Sequence, residues 1–194
     1  RAIVTAAVNV SDVGITPNPE IMLPLIADVG EMHSLRKRLG KVIKDIGYKL
    51  GGPREYKIGT MIELPRAAIT ADQIAEFADF FSFGTNDLTQ TTYGFSRDDA
   101  EGKFLQEYIN QGVIAEDPFQ VLDQEGVGRL IKMGYSLGKS KKPGMQMGVC
   151  GEHGGDPSSI DFFHEVGLDY VSCSPYRVPV ARLAAAQAAV RTER

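Results

Sequence analysis

With 194 residues, 43% of them hydrophobic and 24% charged, the chain can bury one sizeable core and does not require two, so a single domain over 1–194 is expected. A formal net charge of −4 excludes the basic surface that nucleic-acid binding demands. Two cysteines make no disulfide framework in a chain this long, which favours a reducing compartment, and no apolar run approaches the roughly 18 residues of a membrane span.

The opening RAIVTAAVNV reads as a helix already under way, not as a secretory or transit peptide. A strand is expected over Ile21–Ile26, then a helix from Asp28 to Ile46 with Val29, Met32, Leu35 and Leu39 on one face. The basic run Arg36-Lys37-Arg38, with Lys41 and Lys44, reads as a solvated face of that helix. Next come a strand at Lys57–Glu63, a helix at Ala71–Phe77 and a strand at Phe80–Phe83. Residues 85–122 are too long for an ordinary strand-to-helix loop, and they carry Tyr93, Phe95, Phe104, Tyr108 and Phe119 among many charges. An insertion at that position is expected to be functional or interfacial. A helix at Asp123–Leu137, a strand at Met145–Cys150, a helix at Pro157–Val166, a strand at Tyr170–Cys173 and an alanine-rich helix from Pro179 complete the chain. Asp123 and Asp156 suit N-caps, and Pro157 and Pro179 suit first helical turns. Short apolar strands alternating with helices predict a parallel α/β sheet with right-handed crossovers. Five such units fit either a small doubly wound sheet or the last five units of an eight-unit barrel.

Polar side chains gather where the strands end. Glu63 closes one strand, Gly84-Thr85-Asn86-Asp87 follows the next, Gly151-Glu152-His153-Gly154-Gly155 follows Cys150, and Ser172-Cys173-Ser174 closes the last. Reacting groups of parallel α/β folds sit at the carboxyl ends of strands, and adjacent units loaded in this way favour the barrel, a (β/α)8 TIM barrel. Glu63 and Asp87 are hard oxygen donors of the kind that hold Mg²⁺ together with substrate and water. The ordinary alternative pairs Glu63 with Arg66 and leaves Asp87 as a turn cap, and spacing alone leaves both open. Cys150 before a glycine-rich turn is either a reactive thiol or a small buried residue; Cys173 reads as buried. His153 could be a ligand, a hydrogen-bonding orienter or a loop residue, whereas His33 and His164 read as ordinary helix residues. Gly84 would admit a ligand close to the backbone, and Thr85 and Asn86 could hydrogen-bond its carboxylate or phosphate. Neither GxxxxGK[ST] nor GxGxxG occurs, so no nucleotide site is argued.

The segment FFSFGTNDLTQTTYGFSRDD resembles the signature of the phosphoenolpyruvate (PEP)-utilising enzymes. GVCGEHGGDPSSIDFFHEVGLDYVSCSPYRVPVARLAAAQAAV, IGTMIELPRA and EDPFQVLDQEGVG are similar to the pyruvate phosphate dikinase branch, and the likeness covers essentially the whole chain. The resemblance implies a TIM barrel, of which this chain supplies about the last five units. It implies Mg²⁺ on Glu63 and Asp87, and PEP or pyruvate against Glu63, Gly84, Thr85, Asn86 and Asp87. Cys150 would be the proton donor and acceptor at the methyl carbon. The family reaction interconverts ATP, phosphate and pyruvate with AMP, diphosphate and PEP through a phosphohistidine on a separate domain, beside an ATP-grasp domain, in a homodimer. Its members occur in bacterial cytoplasm, chloroplasts and other organelles. The glycine-rich run ending in Thr-Ser-His that carries the phosphohistidine does not occur here. Arg66, Arg97 and Arg177 do not match the clamping arginines of the early strands, so the chain by itself is expected to be inactive and to bind PEP weakly. Two other readings are a Mg²⁺-dependent lyase or aldolase acting on a pyruvate enolate, and a non-catalytic, dimerising piece of the same barrel.

Overall fold

The computed structural model describes residues 1–50 and 56–192. The opening helix α1 (Ala2–Asp12) leads to β1 (Glu20–Leu23), α2 (Val29–Leu50) and β2 (Lys57–Ile62). Two short helices, α3 (Pro65–Ile69) and α4 (Ala71–Ala75), stand where one was expected. They are parted at Thr70, whose hydroxyl turns back to the Arg66 carbonyl at 2.8 Å. Next are β3 (Phe80–Gly84), α5 (Thr85–Tyr93), α6 (Arg97–Lys103), α7 (Leu105–Asn110) and α8 (Val127–Lys141), then β4 (Gln146–Cys150), α9 (Pro157–Val166), β5 (Tyr170–Val171) and α10 (Val178–Thr192). The five strands form one parallel sheet in the order β1-β2-β3-β4-β5, with β1 and β5 outermost.

Two strands are shorter than their hydrophobic patterns suggest. β1 stops at Leu23 because Pro24 has no N–H for the ladder and Leu25 takes a left-handed φ of 54°. β5 keeps only Tyr170 and Val171 in the strand; the chain then enters a tight turn at Pro175–Arg177. Central β3 is buried along its whole length, as a strand covered on both faces must be. Its Phe81 and Phe83 pack with Ile62, Met147, Val149 and Ile131 in the main core.

The strand starts are fastened by a device that occurs twice. Asp79 donates its N–H to the Ile58 carbonyl (2.9 Å), while its carboxylate accepts the Ile58 N–H (2.8 Å). Asp169 does the same with Met147, at 2.8 and 2.7 Å. Arg36 grips the Asp79 carboxylate with both terminal nitrogens (2.9 and 3.0 Å) and also reaches the Ile58 and Phe77 carbonyls. Part of the basic run on α2 therefore ties helix to sheet and is not only a solvated face.

The insertion is helical. α5 begins as β3 ends and stops at Gly94 in the left-handed region (φ 74°). α6 starts at Ser96, whose hydroxyl accepts the Asp99 N–H. Phe95 and Phe104 pack on buried Ala100, Leu105 and Phe119 in a cluster separate from the main core. Asp123 stands before α8, not at its N-cap, which is Gly126. Its carboxylate accepts the N–H groups of Glu125, Gly126 and Val127. Asp156 is the N-cap of α9 and accepts from Ser159 at 2.8 Å. Among the described residues, no helix is long and apolar enough to cross a membrane.

Candidate active site

The sheet register brings the polar strand ends together. Ile62 pairs with Phe83 and Gly84 with Cys150, so Glu63, Gly84 and Cys150 lie side by side on three neighbouring strands. Gly84 is the close-approach point: a Cβ there would stand 2.6 Å from Glu63 Oε2 and 2.8 Å from Glu63 Cβ. Thr85, Asn86 and Asp87 form the first turn of α5, whose leading N–H groups have no partner within the helix.

Glu63 is buried, with 3% of its surface exposed. Its Oε1 accepts the Leu25 N–H at 2.6 Å. Burial raises its pKa above the usual carboxylate value, the Leu25 N–H works against that rise, and the neighbouring Asp87 carboxylate adds to it. The Glu63–Arg66 pairing is absent: Arg66 instead binds Asp28 at 3.0 Å and the Ala27 carbonyl. Among the described residues, neither Glu63 nor Asp87 has a salt-bridge partner. Two adjacent carboxylates without a cationic side chain, one of them buried, fit a hard divalent cation.

The Cys150 thiol lies within the field of both carboxylates. Burial raises its pKa, the polar Ser82 side chain nearby counters that rise, and the charges of Glu63 and Asp87 add to it. Its Sγ also contacts the Phe83 carbonyl oxygen at 3.7 Å. The raised pKa favours the protonated thiol over a standing thiolate. The same Ser82 side chain lies near Tyr170, whose phenol is itself pushed upward, chiefly by burial. Ser82 and Tyr170 were not anticipated, because only the strand register sets them beside Cys150. Cys173, expected to be buried, is half-buried: it packs against Ile160, Ala181 and Ala184 and also lines the cavity beside the cysteine loop.

Two side chains tie the insertion to this rim. Gln90 donates to Asp87 Oδ1 (3.2 Å) and accepts the Arg97 N–H (2.7 Å). The Arg97 guanidinium lies over Phe119 and donates to Asn86 Oδ1 (3.3 Å) and Glu152 Oε1 (3.2 Å). With its oxygen so engaged, Asn86 keeps its amide nitrogen as an uncommitted donor. The Thr85 side chain is fully buried, and its hydroxyl lies 3.2 Å from the Cys150 carbonyl and 2.7 Å from His153. What Thr85 can offer a ligand is therefore its backbone N–H, not the hydroxyl. A cavity of about 570 Å³ opens beside the cysteine loop, lined by Gly151, Glu152, Ser172, Ser174 and Arg177 among others; Glu63 and Asp87 are not in its lining.

Residues 1–190 match the family described as "PEP-utilising enzyme, PEP-binding domain". The chain is 57% identical over 190 residues to pyruvate, phosphate dikinase 1, chloroplastic, of Arabidopsis thaliana, covering 98% of this chain and 20% of that protein. It is 55% identical over 194 residues to pyruvate, phosphate dikinase of Clostridium symbiosum, covering all of this chain and 22% of that protein. The chain thus spans about one-fifth of the length of these relatives. A citrate lyase from Burkholderia xenovorans LB400 superposes with a TM-score of 0.58 at 17% identity, over 88% of this chain and 49% of that one. The citrate lyase beta subunit of M. tuberculosis, solved with oxaloacetate and magnesium, does so with a TM-score of 0.50 at 16% identity, over 91% and 66%. These likenesses bear on fold alone: the five-stranded parallel sheet is part of a TIM-barrel-like architecture.

Proposed function

Because the chain belongs to the PEP-utilising enzymes, as their PEP-binding domain, we propose that it carries the metal- and proton-handling side of the pyruvate site in a pyruvate phosphate dikinase. The observation that carries this reading is the gathering of Glu63, Asp87 and Cys150 at adjacent strand ends. The full reaction interconverts ATP, phosphate and pyruvate with AMP, diphosphate and PEP. It draws on phosphohistidine and ATP-grasp domains outside this segment, within a homodimer. The compartment is cytoplasmic, or a plastid or other organelle, according to the source.

In this reading Glu63 and Asp87 hold Mg²⁺, which when bound supplies positive charge for the developing enolate oxygen. The Asn86 amide and the leading N–H groups of α5 orient the substrate carboxylate. Transfer of the phosphoryl group from PEP to the histidine breaks the P–O bond and leaves the enolate of pyruvate. Cys150 then gives its proton to C3: the S–H bond breaks, a C–H bond forms, and the thiolate is reprotonated from solvent. In the opposite direction the thiolate removes a methyl proton from pyruvate. The elevated thiol pKa suits the donor role, and the polar Ser82 side chain nearby favours the sulfur once it is charged.

Cys150→Ala in the full-length dikinase tests the assignment. Overall turnover should vanish while phosphohistidine formation from ATP and phosphate survives; retained turnover would refute the role. Relatives at 55–57% identity that are all dikinases favour this reading over a pyruvate-enolate lyase.

A further inference from the structure

The proton transfer just described does not use His153, yet this imidazole is only 1% exposed and stands three residues beyond Cys150. It belongs to the short turn Glu152–Gly155 and points inward between two other segments. Nε2 lies 2.9 Å from the Pro118 carbonyl oxygen, in the stretch that returns from the insertion to α8. Nδ1 lies 2.7 Å from Thr85 Oγ1, at the start of α5.

The partners determine where the protons are. A carbonyl oxygen can only accept, so Nε2 carries the hydrogen. Burial favours the neutral ring, which leaves Nδ1 as an acceptor. The hydroxyl of Thr85 therefore donates to Nδ1, and with one proton to give it has none for the Cys150 carbonyl or for a substrate. The hydroxyl oxygen is held in one place as a result. That oxygen stands 2.6 Å from where a Gly151 Cβ would lie, and Gly151 adopts a φ of 119°, open to glycine alone. The residue after Cys150 is thus packed directly on an oxygen atom whose position His153 sets.

We propose that His153 is a positioning residue that, through the Thr85 hydroxyl, sets the spacing between the Gly84–Asp87 turn and Cys150. The inference rests on the dikinase reading above and assigns His153 no contact with substrate. Its anchor on Pro118 makes the insertion part of the same support. Loss of the contact should impair proton transfer at C3 and spare the nucleotide half-reaction, which takes place elsewhere.

The test uses the full-length dikinase and two rates: deuterium entry from solvent into the pyruvate methyl group, and phosphohistidine formation from ATP and phosphate. His153→Gln keeps an N–H for Pro118 but lacks the acceptor for Thr85. It should slow methyl exchange by about 100-fold, the scale set by a small misplacement of reacting groups, and leave the phosphohistidine rate unchanged. His153→Asn places an oxygen near Nδ1 and should recover part of the loss. Thr85→Val should slow exchange by a similar factor, and it supplies the test should His153→Gln fail to fold. The double variant should be no slower than the worse single one. Exchange within twofold of wild type in His153→Gln, or strictly additive losses, would overturn the positioning role. A wild-type enzyme unable to exchange the methyl protons would overturn the dikinase reading and this role together, which sets that failure apart.

Discussion

Glu63 Oε1 accepts the N–H of Leu25 across 38 residues of sequence, and Leu25 is the one non-glycine residue with positive φ among those described. The left-handed turn after β1 aims an amide at a buried carboxylate on the next strand. Backbone strain of this kind persists where the surroundings over-determine it, often at functional sites.

Glu63→Gln keeps an oxygen for Leu25 and removes the charge. In the metal-free protein the raised pKa of Glu63 means that the folded state holds the proton more tightly than the unfolded chain. The stability this contributes is present below the unfolded value of 4.5 and is lost as pH rises through the folded value. Thermal melting from acid to neutral pH should show this loss in wild type and not in Glu63→Gln. Mg²⁺ should stabilise only wild type. Loss of Mg²⁺-dependent turnover should exceed the roughly 10–100-fold cost of removing a supporting group around a metal. Equal stabilisation of both proteins by Mg²⁺ would remove Glu63 from the metal site.

Gly84→Ala places a methyl group against Glu63 Oε2 and Cβ, and neither can withdraw without moving the carboxylate. Overpacking of this kind costs about 1–3 kcal/mol. A lower melting temperature together with weaker Mg²⁺ binding by titration calorimetry is expected; unchanged Mg²⁺ affinity would show that the carboxylate has not been displaced.

His153 supplies a second pH signature of opposite sign. Burial lowers its pKa below the ordinary 6.5; Asp156 and Glu152 pull it upward, and Arg97 pushes it down. The unfolded chain takes up the proton first, so the contribution to stability is complete above 6.5 and lost as pH falls through that value toward the folded one. His153→Asn should lack this step in melting temperature below pH 6.5. Identical profiles for the two proteins would show that His153 does not titrate on unfolding.

At the other end of the strands, Asp79→Asn weakens the grip of Arg36 and of the Ile58 N–H. Breaking such a charge-assisted, partly buried hydrogen bond costs about 1–3 kcal/mol. The expected result is a lower melting temperature with kcat and KM unchanged, because these contacts lie away from the carboxyl ends of the strands. Asp169→Asn should behave alike through Met147.

The order of strands and the identity of the rim residues were legible because buried parallel strands are short apolar runs and the polar residue that follows each one marks its carboxyl end. Pro24 marks the end of β1 in the sequence, but the apolar run through buried Ile26 masked it, and the left-handed turn at Leu25 could not be read. The pattern assigned no helices within the insertion because α6 and α7 have little apolar surface of their own. Their core exists only once Phe95, Phe104 and Phe119 meet. Ser82 and Tyr170 look like ordinary strand residues until the register puts them beside a thiol. For His153 the sequence left three possibilities, and the positions of Thr85 and Pro118 select among them.

The two aspartate fastenings close β2 on β3 and β4 on β5, both at the strand starts. Between β3 and β4 the carboxyl end is tied by Cys150 to the Phe83 carbonyl and by His153 to Thr85, and the start only by Lys142 reaching the Ala78 carbonyl. The β2–β3 and β4–β5 seams thus carry a carboxylate latch at the strand starts, and the β3–β4 seam between them does not. A substrate that stiffens the rim would tighten the β3–β4 seam, whose floor has no such carboxylate latch. Its arrival would be felt at the far end of the sheet, as slower hydrogen exchange at Gly148, whose amide no ligand touches.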